Sequence, residues 1–168
     1  MPEDIRAWLA ARIPADWFAG APEVTSDSEE ILVVGTLPDV ELASGTAPEG
    51  VAAARVARID RFREETRDER VKIAREAERQ FRRKVAWGAG CGNETRVFTT
   101  LSVPVMTRLR MPERSILDTL VAGGVARSRS DALAWCVRLV GMHQADWIKG
   151  MRDAIVKVDE ARGKGPLN

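Results

Sequence analysis

The sequence predicts an α+β protein in two parts: a small N-terminal α+β unit with a long helix, followed by a β-α-α unit. Three observations carry that prediction. Residues 51–83 hold neither Gly nor Pro and repeat apolar residues at helical spacing. Short apolar runs with strand character flank that segment on both sides. The C-terminal third then offers one alternating stretch with two amphipathic helices behind it. The expected boundaries are 1–103 for the first unit and 104–162 for the second, with 163–168, "GKGPLN", a disordered tail.

Taken in order, "PEDIRAWLAARI" (2–13) reads as a short helix, acidic in its first turn, with Ile5, Leu9 and Ile13 on one side. "PEVTSDSEEILVVGTLPDV" suggests two strands, Glu23–Thr25 and Ile31–Val34, joined by the polar turn Ser26-Asp27-Ser28. "ELASGTAPEG" is a loop by composition. The helix expected over Val51–Arg83 carries a narrow stripe of Val56, Ile59, Phe62, Ile73, Ala77 and Phe81. The stripe thins at "REETRDER", where the helix is expected to bend or to lie partly exposed. After it, Val85, Trp87, Ala89 and Cys91 alternate, Gly92-Asn93 offers a turn, and Val97, Thr99, Leu101 and Val103 alternate again: a hairpin.

Charge is distributed unevenly. The net +1 conceals −8 over residues 1–50, +4 over 51–94 and +5 over 95–168. A surface for a polyanion is therefore expected in the second half. No apolar stretch reaches the length of a membrane span, and the acidic start "MPEDIRAWLA" does not read as a secretory signal. Cys91 and Cys136, far apart, suggest neither a disulfide framework nor a metal site. The expectation is a reduced, cytoplasmic protein without a cofactor and without a membrane partner.

In the C-terminal third, "MTRLRMPERS" (106–115) sets the question of whether its arginines face water or read a ligand. Val105, Thr107, Leu109 and Met111 point one way along a strand, and Met106, Arg108 and Arg110 the other. Pro112 suits a first helical position, and Ile116, Leu117, Leu120 and Val121 follow on one face until Gly123-Gly124 stops the helix. Ser128 is the expected N-cap of the next helix, with Asp131 three residues on. Ala132, Leu133, Cys136, Leu139 and Val140 form its apolar face, and the pattern extends towards Val158 with breaks expected near Gly141 or Gly150. A competing reading makes one helix from Pro104 onward with Pro112 inside it, at a cost of about 3 kcal/mol.

One strand and two short helices cannot bury their own apolar face, and a lone strand leaves its backbone unpaired. Two copies with antiparallel strands would solve both problems. Such a ribbon fits the DNA major groove, where Arg donates bidentately to guanine. Residues 105–140, "VMTRLRMPERSILDTLVAGGVARSRSDALAWCVRLV", resemble a ribbon-helix-helix domain of the Arc, MetJ and CopG kind, and the whole sequence resembles actinobacterial proteins of the same layout. The resemblance implies that Met106, Arg108 and Arg110 face base edges and that Ser128, Arg129 and Ser130 bind a backbone phosphate at a helix N-terminus. It implies a dimer core of Val105, Leu109, Met111, Leu120, Leu133 and Cys136. The expected function is that of a homodimeric, sequence-specific binder of double-stranded DNA, a transcriptional regulator. The N-terminal unit would add dimer contacts or hold a protein or small-molecule effector. The alternative is a non-enzymatic dimeric scaffold, or an antitoxin-like module whose acidic N-terminal part grips a basic partner.

The remaining candidates read blandly. His143, the single histidine, has no Ser, Cys or Asp beside it in any catalytic spacing. Cys91 sits in a Gly-rich turn with nothing in the neighbouring sequence to lower its pKa. "GAGCGN" lacks the Lys-Ser/Thr and the helix of a phosphate loop. Arg82, Arg83 and Lys84 could add phosphate contacts, although runs of mixed charge are usually solvated. No enzyme constellation is visible.

Overall fold

A computed structural model describes residues 2–163, and the tail expected to be disordered lies, from Lys164 on, outside the described residues. The protein is mixed α+β, with a four-stranded sheet and six helices among the described residues. It divides into two compact units, the first ending at Pro104 and the second beginning at Val105.

In the first unit, α1 spans Pro2–Arg12, β1 Glu23–Ser26 and β2 Glu30–Thr36. Asp27 makes the β1–β2 turn: its Oδ1 accepts from the backbone N–H of Glu29 and of Glu30, each at 2.8 Å. These two N–H donors hold the Asp27 carboxyl below its usual pKa. The expected helix over 51–83 is two helices, α2 at Pro48–Glu65 and α3 at Arg67–Phe81. Strands β3 (Lys84–Cys91) and β4 (Glu94–Val97) complete the sheet, ordered β1-β2-β3-β4. The two hairpins are antiparallel, but β2 and β3 pair in parallel from Glu30↔Lys84 to Thr36↔Gly90, so α2 and α3 form the crossover between them.

The break at Thr66 has a specific cause. Thr66 Oγ1 donates to the Phe62 carbonyl at 2.6 Å and accepts from Arg70 Nε at 2.9 Å. Arg70 also donates to the Arg63 carbonyl at 2.5 Å and lies over the Phe98 ring, 4.8 Å from its centroid. This arginine is buried where the apolar stripe is thinnest, and it satisfies the Arg63 carbonyl that the end of α2 leaves open. Phe98 turns towards Arg70 and Phe62, and β4 ends at Val97, short of the expected Val103.

The core lies on one face of the sheet. Val33 pairs with Trp87 and Gly35 with Ala89, so these residues share a face. Ile5 and Leu9 of α1 and Ile73 of α3 pack with Ile31, Val33 and Trp87. Ile59 and Phe62 of α2 pack with Ala89, Cys91, Leu37 and Phe18. Gly35 lies so close to the Phe18 ring that a Cβ would overlap it. Gly35→Ala is expected to destabilise the first unit by about 1–3 kcal/mol through overpacking, read by urea denaturation.

Outside this core, Arg55 grips Asp39 through Nε–Oδ1 at 2.9 Å and Nη2–Oδ2 at 2.5 Å. Cys91 is buried, with Sγ 3.5 Å from Asp39 Oδ1. Burial, with the Asp39 carboxylate beside it, pushes the Cys91 thiol pKa up, the opposite of an activated nucleophile. The Arg55 hydrogen bond pulls the Asp39 carboxyl far below its usual range. A depressed carboxyl pKa stabilises the fold above the unfolded value of about 4 and loses that contribution as pH falls through the folded value. Asp39→Asn is therefore expected to lower the melting temperature at pH 6 and to leave it nearer wild type at pH 2, by calorimetry.

Candidate nucleic-acid interface

The second unit is helical: α4 at Met111–Ala122, α5 at Arg129–His143 and α6 at Ala145–Gly163. The strand expected before Pro112 is not formed in the single chain; residues 101–110 are neither helix nor strand. A strand exists through its ladder, and this stretch has no partner strand among the described residues. The competing helix from Pro104 is absent too, since the backbone is still extended at Arg110 (φ −80°, ψ 173°). Pro112 falls in the first turn of α4, where its missing N–H is harmless.

The helix ends follow from local chemistry. At the C-terminus of α4, Gly124 adopts φ +74°; its N–H donates to Val121 O at 3.1 Å and that of Val125 to Leu120 O at 3.0 Å. This is the Schellman arrangement that the Gly-Gly pair allows. At the start of α5, Ser128 Oγ accepts from Asp131 N at 3.2 Å, and Asp131 Oδ2 accepts in return from Arg127 N at 3.0 Å. With Asp131 N capped and Ala132 N bonded to Ser128 O, the N–H groups of Arg129 and Ser130 are those left open by the helix. The second break comes at Gln144 rather than at Gly141 or Gly150.

Packing inside this unit is thin. Leu117, Ala126 and Ala132 are buried, with Leu109, Leu120, Val121, Leu133 and Cys136 half-buried around them. Of the expected dimer core, Leu109, Leu120, Leu133 and Cys136 thus line this cluster, while Val105 (85% exposed) and Met111 (76%) stand outside it.

Of the expected site residues, Met106, Arg129 and Ser130 line one shallow groove of about 320 Å³, and Arg108, Arg110 and Ser128 do not. Val105, Met106, Thr107 and Leu109 form one wall, and Arg129, Ser130 and Leu133 of α5 another. Arg114 fixes the extended stretch by donating to Leu109 O at 2.7 Å. Met106 is 97% exposed. The side chains of Arg108 and Arg110 are exposed and, among the described residues, make no hydrogen bond or ion pair.

Asp118 is the residue that sequence reasoning missed. Its carboxylate holds Arg129 through Nε–Oδ1 at 2.6 Å and Nη2–Oδ2 at 2.7 Å, tying α4 to the first turn of α5. That hydrogen bond lowers the Asp118 pKa and raises that of Arg129. Arg129 is therefore already paired, and Asp118 and Asp131 temper the positive end of α5. No cluster of three His, Cys, Asp or Glu is placed to hold a metal among the described residues, nor is any of their helices long and apolar enough to cross a membrane.

Residues 3–97 match the family described as Rv1265-like protein, N-terminal domain, and residues 110–162 match the Mb1296 C-terminal domain. The chain belongs to the Rv1265-like family. It is 54% identical over 160 residues to the uncharacterized proteins Mb1296 of Mycobacterium bovis and Rv1265 of Mycobacterium tuberculosis. That alignment covers 95% of this chain and 69% of each relative. No solved structure matches. The junction of the two family matches, between 97 and 110, falls on the extended stretch that joins the two units.

Proposed function

We propose that this protein is a homodimeric, cytoplasmic, sequence-specific DNA-binding protein of the ribbon-helix-helix kind, a transcriptional regulator rather than an enzyme. The observation that carries the reading is an extended, unpaired stretch whose two outward arginines are unengaged, set beside the capped N-terminus of α5. Two copies would pair their 105–110 stretches antiparallel, completing the backbone hydrogen bonds and covering Val105 and Met111. Exposed Ile116 on α4 and Val137 and Val140 on α5 belong to the same demand for a partner. Met106, Arg108 and Arg110 of each chain would then enter the major groove, while the open N–H groups of Arg129 and Ser130 meet phosphate. The N-terminal unit would carry an effector, protein or small molecule.

The test is fluorescence polarisation with mixed-sequence double-stranded DNA at 50 and 200 mM salt. Binding at low salt that falls at least tenfold at the higher salt is expected, because counterion release dominates such contacts. Failure to bind at 50 mM by a protein of dimeric mass would overturn DNA recognition. It would leave the scaffold reading, which the Asp118–Arg129 pair favours because it neutralises a cation at the phosphate position.

A further inference from the structure

Arg70 is the one buried charged side chain among the described residues, and no carboxylate there pairs with it. Its Nε donates to the Thr66 hydroxyl and its Nη2 to the Arg63 carbonyl, both neutral acceptors. The third nitrogen, Nη1, makes no hydrogen bond among the described residues. The Phe98 ring attracts the cation without neutralising it. A guanidinium does not shed its proton inside a protein, so a desolvated charge stands here without a counterion.

The neighbouring charges sharpen that imbalance. Arg63 also reaches over the Phe98 ring, 6.0 Å from its centroid, and Arg67 lies between Arg63 and Arg70 on the same side of the α2–α3 junction. Neither the Arg63 nor the Arg67 side chain makes a hydrogen bond or ion pair among the described residues. The acids close by in sequence are engaged elsewhere: Asp60 with Arg96, Glu65 with Arg61 and Glu69 with Lys72. Burial lowers the Arg70 pKa and the Arg63 and Arg67 charges lower it further; Glu64 opposes them but forms no ion pair.

We infer that Arg63, Arg67 and Arg70 form a binding site for the phosphate group of a small phosphate monoester. Charge selects the class: three guanidiniums against the single Glu64 carboxylate leave a net +2, which matches a phosphate monoester dianion and is twice what a carboxylate ligand carries. Accessibility selects the size. Arg70 is only 7% exposed, so its remaining donor is open to a compact group, whereas the broad backbone of a duplex meets protruding side chains. Arg63 and Arg67, both exposed, keep their planar donor sets free for the other phosphate oxygens. The site gives a chemical class to the effector proposed for the first unit, and its test does not depend on DNA binding.

That test is calorimetric titration of the full chain with inorganic phosphate at about pH 8, with ionic strength held constant by sodium chloride. Saturable one-to-one binding is expected, about tenfold or more tighter than that of acetate. Arg67→Gln, at an exposed position, is expected to weaken it about tenfold, and Glu64→Gln, which removes the opposing charge, to strengthen it about threefold. Arg75→Gln, an exposed arginine further along α3, should leave it unchanged. No saturable heat up to about 10 mM phosphate, equal affinity for acetate, or equal effects of Arg67→Gln and Arg75→Gln would overturn the proposal. Displacement of bound phosphate by double-stranded DNA would make the site a backbone contact and overturn the small-molecule source. Failure to bind DNA with phosphate binding intact would instead strike the regulator reading and leave this one standing.

Discussion

Arg110→Ala is expected to cost roughly 5- to 150-fold in affinity for the preferred DNA sequence and much less on unrelated sequences, so that the specificity ratio collapses. The magnitude follows from about 1–3 kcal/mol for a bidentate Arg–guanine contact, at about 1.4 kcal/mol per tenfold change. The geometry makes the experiment clean. The Arg110 side chain has no intramolecular partner among the described residues, so its removal costs the free protein little. Ser128→Ala is the contrasting variant: it removes the acceptor for Asp131 N and loosens the first turn of α5, at about 0.5–2 kcal/mol of helix stability. Its binding loss should be even across sequences, because a phosphate contact carries no base information. Polarisation titrations on a selected site and on a scrambled one separate the two patterns, and equal losses on both DNAs for Arg110→Ala would remove the reading role.

Asp118→Asn bears on the same surface. Releasing Arg129 should raise the positive potential at the start of α5 and strengthen binding to any DNA, most at low salt, if that helix end faces phosphate. On the proposed reading the wild-type pair would restrain non-specific affinity, leaving backbone N–H groups to hold phosphate while the guanidinium stays on Asp118.

What could be read from the sequence divides by range. Ser128 with Asp131, Gly123-Gly124, Gly92-Asn93 and Asp27 are instructions written within four residues, and each forms the cap or turn expected of it. The features that escaped are long-range. The parallel pairing of Glu30 with Lys84 joins residues 54 apart in the chain and leaves no local trace; the sequence showed two hairpins but not that they share a sheet. Thr66 is the local exception: the break falls within "REETRDER", where a bend was expected, but its cause was hidden because the buried Arg70 that bonds the hydroxyl reads in sequence as one more surface charge. Asp118 belongs to the long-range class: a carboxylate on one helix finds Arg129 on the next only after the Gly-Gly turn has folded. The extended stretch is the opposite case. Its alternation implies a strand that residues 101–110 do not form, and only the proposed dimer would make it one.

That dependence supplies the sharpest test of the fold of the second unit. Three buried residues, Leu117, Ala126 and Ala132, are a small core for a unit of this length, and small units commonly rely on association for stability. Its unfolding midpoint should therefore rise with protein concentration, since a partner that binds only the folded form stabilises it by mass action. Leu109 sits on the inward row of the extended stretch, half-buried against that core, and Met106 on the outward row is almost wholly exposed. Leu109→Asp would bury an unpaired carboxylate in the shared core and is expected to weaken association at least about 100-fold, equivalent to roughly 3 kcal/mol. Met106→Asp should leave association within about twofold while reducing DNA affinity by charge repulsion, because alternation puts its side chain on the other face of the ribbon. Sedimentation equilibrium on the two variants reads this difference directly. Equal weakening by both, or by neither, would mean that residues 105–110 do not pair as a strand.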